Sequence, residues 1–302
     1  MAQTVTPELR RWIIDQASAG CTPDSVLKAM LDAGWDASVA ETALERTLIE
    51  HLSAVAPGQL AQAGPEVQEA VKAAQAAQPL SGVGSPVPTI DLTGSPRRVW
   101  AGDRWVDIIT HMNHPRVVVL GNLLSAEECE AIIESAKPKL ARSLTVQTDT
   151  GGEEMNPDRT SSGMFFTRGQ TPVVAALEQR IATLVGWPVE NGEGLQVLHY
   201  RPGAEYKPHY DYFAPDEAGT PTILKRGGQR VATLVIYLNE PERGGGSTFP
   251  DVGLEVAPVR GQAVFFSYDR PHPSTRTLHG GAPVLEGDKW VATKWLRQAE
   301  FT

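Results

Sequence analysis

Two cysteines in 302 residues, Cys21 and Cys129, give no material for a disulfide framework. The fold must therefore be held by its core, and a reducing, cytoplasmic setting is the expectation. No apolar run is long enough to span a bilayer, so no membrane role is expected. The opening stretch, Met1-Ala-Gln-Thr-Val-Thr-Pro-Glu-Leu-Arg-Arg11, lacks the basic-then-apolar order of a signal peptide. Cations are in the minority, 27 Lys and Arg against 36 Asp and Glu, for a formal charge of −9. That balance excludes a general nucleic-acid binder, which needs clustered positive charge, and leaves room for a cationic peptide. No internal repeat is evident. What is present is a 41% hydrophobic fraction, ample for a packed core.

Three textures succeed one another. Residues 1–52 read as a small three-helix module. Thr22-Pro23 gives an N-cap followed by proline at the first helical position, and Gly34 sits where a helix should end. Val26, Leu27, Met30 and Leu31, then Trp35, Val39, Ala43, Leu44 and Leu48, recur at helical spacing and form its expected core. The module is similar to ubiquitin-associated-type domains, which implies a protein partner; a helical appendage without that role fits the same residues. Residues 53–96 turn to Ala, Gln, Gly, Pro and Ser and read as a linker, with one Ala-rich helical stretch between Pro65 and Gln78.

Residues 97–302 are richer in strand patterns. Val117–Leu120 is an apolar strand, and Ser125-Ala-Glu-Glu128 is a capping box opening a helix to about Ala136. A second helix starts at Thr171-Pro172 and ends before Gly186. Short strands follow at Leu195–Tyr200, Tyr206–Phe213, Val231–Leu238, Gln262–Phe266 and Trp290–Leu296. Many short strands with frequent turns predict a mainly β sandwich or barrel with flanking helices.

Within the strand around Tyr206, His209-Tyr-Asp211 places an imidazole and a carboxylate two residues apart, hence on one face. Two histidines and one carboxylate on one side of an octahedral ion is the pattern of iron(II) oxygenases. Candidates for the third ligand are His51 in the helical module, His111 and His114 in an irregular stretch, His199, His272 between two prolines, and His279. His279 precedes Gly280-Gly281, where absent side chains let a ligand approach. Lys289 enters the aromatic strand Trp290-Val-Ala-Thr-Lys-Trp295, and a lysine buried there needs an anion, which a dicarboxylate provides.

Tyr200, His209-x-Asp211, Gly245-Gly246-Ser247-Thr248-Phe249-Pro250, Gly261–Phe266, His279-Gly-Gly-Ala-Pro-Val284 and Gly287-Asp-Lys289-Trp290 resemble, in order and spacing, the catalytic domain of prolyl 4-hydroxylases of the bacterial, algal and plant branch. The resemblance runs from about Gly121 to Arg297. It implies a double-stranded β-helix, or jelly roll, over residues 97–302 with its core at about 193–298. It also implies iron(II), 2-oxoglutarate and O2, with ascorbate as a rescuing reductant, and release of succinate and carbon dioxide. His209, Asp211 and His279 are then the iron ligands. Lys289 would pair with the 5-carboxylate of 2-oxoglutarate, helped by Tyr200 and Thr248, with Trp295 walling that pocket. Tyr206 and Arg230 would stand closest to the reacting substrate, and Glu193, Arg230 and Tyr206 would contact a proline-containing peptide or protein. The stretch Asp149–Pro157 beside Arg159-Thr-Ser-Ser162 would be a lid. One place departs from the family: Arg297 stands where plant and algal relatives carry histidine. Facing substrate, it would shift preference towards acidic partners; facing solvent, it would do nothing. Hydroxylation of a free amino acid or another side chain, and a non-enzymatic cupin-like scaffold, are the alternatives.

Overall fold

The computed structural model describes residues 5–18, 21–37, 39–41, 43–44, 47–48, 87–142, 145–146, 153–154 and 160–302. The chain divides into two compact units, Met1–Gln78 and Pro79–Thr302. Most of the lid stretch and most of the linker stretch lie outside the described residues.

In the first unit, α1 (Pro7–Ser18) and α2 (Pro23–Asp32) are followed by helical positions between 37 and 48. The Thr22 hydroxyl accepts from the Ser25 backbone N–H and Pro23 occupies the first turn, so α2 starts where its capping residues dictate. Ile13, Val26, Met30, Ala40, Ala43 and Leu44 form the core. Leu31, expected in that core, is 41% exposed instead, because the buried stripe of α2 follows Val26 and Met30.

The second unit opens with Ile90 and Leu92, from the stretch read as linker, packed into its core. Its strands are β1 (Arg98–Trp100), β2 (Trp105–Met112), β3 (Arg116–Gly121), β4 (Ala141–Arg142), β5 (Thr145–Val146), β6 (Glu153–Glu154), β7 (Ser162–Phe166), β8 (Leu195–Tyr200) and β9 (Tyr206–His209). They continue with β10 (Arg230–Tyr237), β11 (Arg243–Gly244), β12 (Ser247–Phe249), β13 (Leu254–Val256), β14 (Ala263–Ser267), β15 (His279–Gly281), β16 (Val284–Glu286) and β17 (Lys289–Arg297). A nine-stranded sheet has the order β1-β2-β3-β14-β10-β17-β8-β7-β4, and a four-stranded sheet the order β13-β12-β15-β9.

Two layers of apolar contact hold this unit. Helices α3 (Ala126–Ala136) and α4 (Pro172–Val185) cover the outer face of the large sheet, packing Ile132, Leu177 and Ile181 with Leu234, Ile236, Ala292 and Leu296. The capping box at Ser125 and Glu128 starts α3, and Gly186, with φ +61°, ends α4. Between the sheets, Leu198, Tyr200, Tyr237, Phe249, Phe266, Tyr268 and Val291 form a second cluster. This is the expected mainly β jelly roll with flanking helices.

With both faces covered, all nine residues of β17 are buried. Period-two alternation then sorts them: Ala292, Lys294 and Leu296 point outwards, and Lys289, Val291, Thr293, Trp295 and Arg297 line the interior. Two expectations change. His111 lies on β2, not in an irregular stretch, since Asp107–Met112 pair with Val117–Gly121. The strand expected over Tyr206–Phe213 stops at His209, because only Tyr206 and His209 find partners, on β15. No helix among the described residues is long and apolar enough to cross a membrane.

Candidate active site

His209 and His279 are direct cross-strand partners on β9 and β15, which brings their rings to 4.4 Å between centroids. Each imidazole gives its Nδ1–H to the carbonyl two residues before it, Lys207 for His209 and Thr277 for His279, both at 2.9 Å. A carbonyl can only accept, so Nδ1 carries a proton in each ring and Nε2 is the nitrogen left to ligate. Both Nε2 atoms face Asp211: His209 Nε2 is 3.6 Å from Oδ1 and His279 Nε2 is 3.4 Å from Oδ2. The three potential ligand atoms lie within 4.8 Å of one another.

Asp211 is not held by strand alternation, since it lies past the end of β9. Its Oδ2 instead accepts a 2.7 Å hydrogen bond from Thr233 Oγ1 on β10, and that hydroxyl meets Tyr268 Oη at 3.2 Å. Burial alone would raise this carboxyl, but the facing imidazoles of His279 and His209 hold it well below the usual carboxylate range. Burial, followed by the proximity of His279, lowers His209, so it is poised as a neutral ligand. A buried carboxylate and two imidazoles whose Nε2 atoms converge on it fit a divalent ferrous ion.

Gly280 makes this pairing feasible in a way not foreseen. A Cβ there would lie 2.9 Å from the Tyr206 carbonyl and 3.1 Å from Pro208 N, so the missing side chain admits the β9 backbone rather than a ligand. Gly280→Ala is expected to push the two histidine-bearing strands apart and weaken iron(II) binding about tenfold or more. An anaerobic metal titration measures this.

At the other end of the inner row, Lys289 pairs across strands with Tyr200. Its ammonium lies 5.4 Å from the Tyr200 ring centroid and 5.9 Å from that of Tyr237. The side chain is buried, and no anionic group pairs with it among the described residues. Burial pushes its pKa down to about 8. An unmatched buried cation fits a carboxylate of a diacid.

Thr248 does not take the place expected of it. In β12 the alternating Ser247 and Phe249 face the interior, Ser247 Oγ accepting from Tyr237 Oη at 2.7 Å and Phe249 lying 5.9 Å from the His279 ring. Thr248 is on the opposite face, so Ser247 and Tyr237 are the hydroxyls beside Lys289. Trp295 shares the inner row with Lys289 but lies six residues, about 20 Å, along the strand. It therefore does not wall a pocket around Lys289; its ring lies 4.0 Å below the Arg230 guanidinium and 6.5 Å from Phe165. Tyr206 stacks on His209 at 3.7 Å, half-buried beside the ligand set.

Glu193 and Arg230 face each other. Arg230 Nε and Nη2 donate to the two Glu193 oxygens at 2.7 and 2.9 Å, and Nη1 donates to the Asp211 carbonyl at 3.4 Å. Arg297 points neither to solvent nor away: its Nε donates to Glu193 Oε1 at 2.6 Å and its Nη1 to the Gly228 carbonyl at 2.5 Å. So the arginines form one buried cluster with Glu193 behind Asp211.

Comparison with known proteins matches residues 195–297 to the 2OG-Fe(II) oxygenase superfamily. Prolyl 4-hydroxylase 5 of Arabidopsis thaliana is 44% identical over 221 residues, 66% of this chain and 74% of the relative. The chain belongs to the prolyl 4-hydroxylase family. It is a 2-oxoglutarate-dependent dioxygenase, as the resemblance implied. Prolyl 4-hydroxylase 1 of the same plant is 42% identical over 224 residues, 66% of this chain and 77% of the relative. A viral collagen prolyl hydroxylase of Paramecium Bursaria Chlorella virus-1, in its 2-oxoglutarate complex, aligns with a TM-score of 0.48 and 28% identity, over 60% of this chain and 95% of that one.

Thr233, Tyr268, Ser247 and Tyr237 were missed. A threonine within the apolar run Val231-Ala-Thr-Leu-Val-Ile236 was the available signal, since a buried strand tolerates a hydroxyl only with a partner. Thr233→Val keeps shape and burial but removes the donor to Asp211. Iron(II) affinity is expected to fall about 10- to 100-fold, as for other groups that orient a metal ligand. Thr233→Ser should restore it.

Proposed function

We propose that this chain hydroxylates prolyl residues, at the 4-position, in a peptide or protein. The observation that carries the reading is the convergence of His209, Asp211 and His279 beside a buried Lys289, whose ammonium would lie 3.7 Å from a Cβ at Gly281, two residues beyond His279, in a chain 44% identical to a protein named prolyl 4-hydroxylase.

In this reading His209 Nε2, His279 Nε2 and an Asp211 carboxylate oxygen hold iron(II), and Lys289 takes the distal carboxylate of 2-oxoglutarate. Bound together, iron, 2-oxoglutarate and oxygen supply oxidative decarboxylation to succinate and carbon dioxide, coupled to insertion of one oxygen atom into a C–H bond. The chain does the rest. The Lys207 and Thr277 carbonyls and Thr233 fix ligand orientation, so little reorganisation is left for turnover. Tyr200, Tyr237 and Ser247 form a buried, polar-tipped end around Lys289. Tyr206, half-buried beside the ligand set, offers a flat ring that suits a pyrrolidine. Ascorbate as rescuing reductant, a reducing cytoplasmic setting and a protein partner for the N-terminal unit belong to the same proposal.

The test is a Pro-rich peptide incubated with the protein, iron(II), 2-oxoglutarate and oxygen. A gain of one oxygen atom on proline, stoichiometric with succinate, is the expected result. Free proline oxidised in preference to blocked peptides would transfer the activity to an amino acid. Succinate output that no peptide raises would end the proposal.

A further inference from the structure

Buried charge in the second unit is mostly matched. Lys294 and Glu178 pair at 2.5 Å with side chains 2% exposed, and Arg180 pairs with Asp103 and Glu128. Two places depart from this. Lys289 faces no anion among the described residues, and the hydroxylase reading supplies one in the cosubstrate. The other is the pair Arg230 and Arg297, which share the single carboxylate of Glu193. Asp211 does not complete the match. A ferrous ion, the Asp211 carboxylate, a doubly charged cosubstrate and Lys289 together sum to zero. Tyr268, packed against the same groups, stays neutral, since burial holds its phenol well above the usual range. The loaded site is left with one surplus positive charge.

Hydrogen-bond donors are in surplus at the same corner. Arg297 uses Nε and Nη1, and its Nη2 makes no hydrogen bond among the described residues. Trp295 Nε1 is buried with no acceptor among the described residues. These residues are two apart on the inner row, so their side chains leave one face of β17 about 7 Å apart. Phe213 lies under both guanidinium groups, 4.8 Å from each, and Phe301 lies 5.1 Å from that of Arg297, which fixes their planes. Phe165, 52% exposed and beside Trp295, borders the corner on its open side. An orphaned indole N–H and an unused guanidinium edge next to surplus positive charge call for an acceptor that is itself negative.

We propose that this corner is a specificity site for a carboxylate of the substrate, the side chain of a Glu or Asp flanking the hydroxylated proline, recognised by Arg297 with Trp295. What the substrate is rests on the hydroxylase reading; the charge and donor surplus does not. Arg297 stays charged for this role at neutral pH, since burial, against the pull of Glu193, lowers it only to about 10.

The test uses full-length protein loaded with iron(II) and 2-oxoglutarate without oxygen, and pairs of proline peptides that differ only as Glu or Gln. The exchange is made in turn at the two nearest positions on each side of the proline. Calorimetry is expected to show the Glu member binding about tenfold tighter at one of these positions, the scale of one charge-assisted contact. In Arg297→Gln that advantage is lost. The variant leaves Glu193 paired one-to-one with Arg230, and a thermal melt checks its fold. Equal dissociation constants within every pair for the wild-type protein overturn the proposal, whatever the variant does. Admitting oxygen separates the two readings. Proline oxidised without charge preference keeps the hydroxylase and removes the specificity site, whereas charge-selective binding with no oxygen incorporated does the reverse.

Discussion

Asp211→Ala lowers turnover by about a thousandfold or more, because it removes the one anionic ligand from a site built to hold a dication. The loss extends beyond the ligand. Thr233 Oγ1 loses its acceptor and the two Nε2 atoms lose the carboxylate that sets their approach. Iron(II) affinity measured without oxygen should fall in parallel with succinate formation. A variant that binds iron normally and still turns over would show that the carboxylate is not a ligand. Asp211→Glu separates charge from position: the charge survives, the added methylene displaces it, and little activity should return.

Lys289→Ala weakens 2-oxoglutarate by about a hundredfold to a thousandfold, the cost of leaving one carboxylate of the diacid buried without its partner. The half-saturating cosubstrate concentration measures this, and iron(II) binding is expected to stay near its normal value. Two pH effects follow from the lysine pKa of about 8 in the ligand-free protein, set by burial. Cosubstrate affinity is greatest below about pH 8 and declines as pH rises through that value, because the cation that binds it is lost. Stability runs the other way. The folded protein releases the proton more readily than the unfolded chain, whose lysines titrate near 10.5, so the burial penalty, about 3 kcal/mol, is present below pH 8 and disappears between 8 and 10.5. Without cosubstrate, Lys289→Met should therefore unfold at higher denaturant concentration than the wild type at neutral pH. Equal midpoints would mean that the ammonium finds solvent or an anion after all.

Which parts of this site can be read from the sequence depends on how local their causes are. The capping box at Ser125 and the Thr171-Pro172 start were legible because capping is settled within four residues. The inner row of β17 was legible because alternation is strict in a strand. Asp211 was identified correctly for an incomplete reason. The two-residue spacing suggested strand alternation, yet the strand ends at His209 and the carboxylate is aimed by Thr233, twenty-two residues later. Thr248 came from the resemblance alone; in the three-residue strand Ser247–Phe249 alternation turns Ser247 and Phe249 inwards, so Ser247 takes the place. The Glu193, Arg230 and Arg297 cluster was out of reach as a cluster. Its members come from separate segments that only the β10–β17 pairing and the Gly192–Leu296 bridge bring together.

The two imidazoles hang from the four-stranded sheet, while the hydroxyl that steadies Asp211 belongs to the nine-stranded one. An ion gripped by all three side chains is thus a rivet through both walls of the roll, and its free concentration enters the unfolding equilibrium by mass action. Chelation would unpin a seam as well as silence an enzyme, and iron scarcity would be felt as fragility before it was felt as lost catalysis.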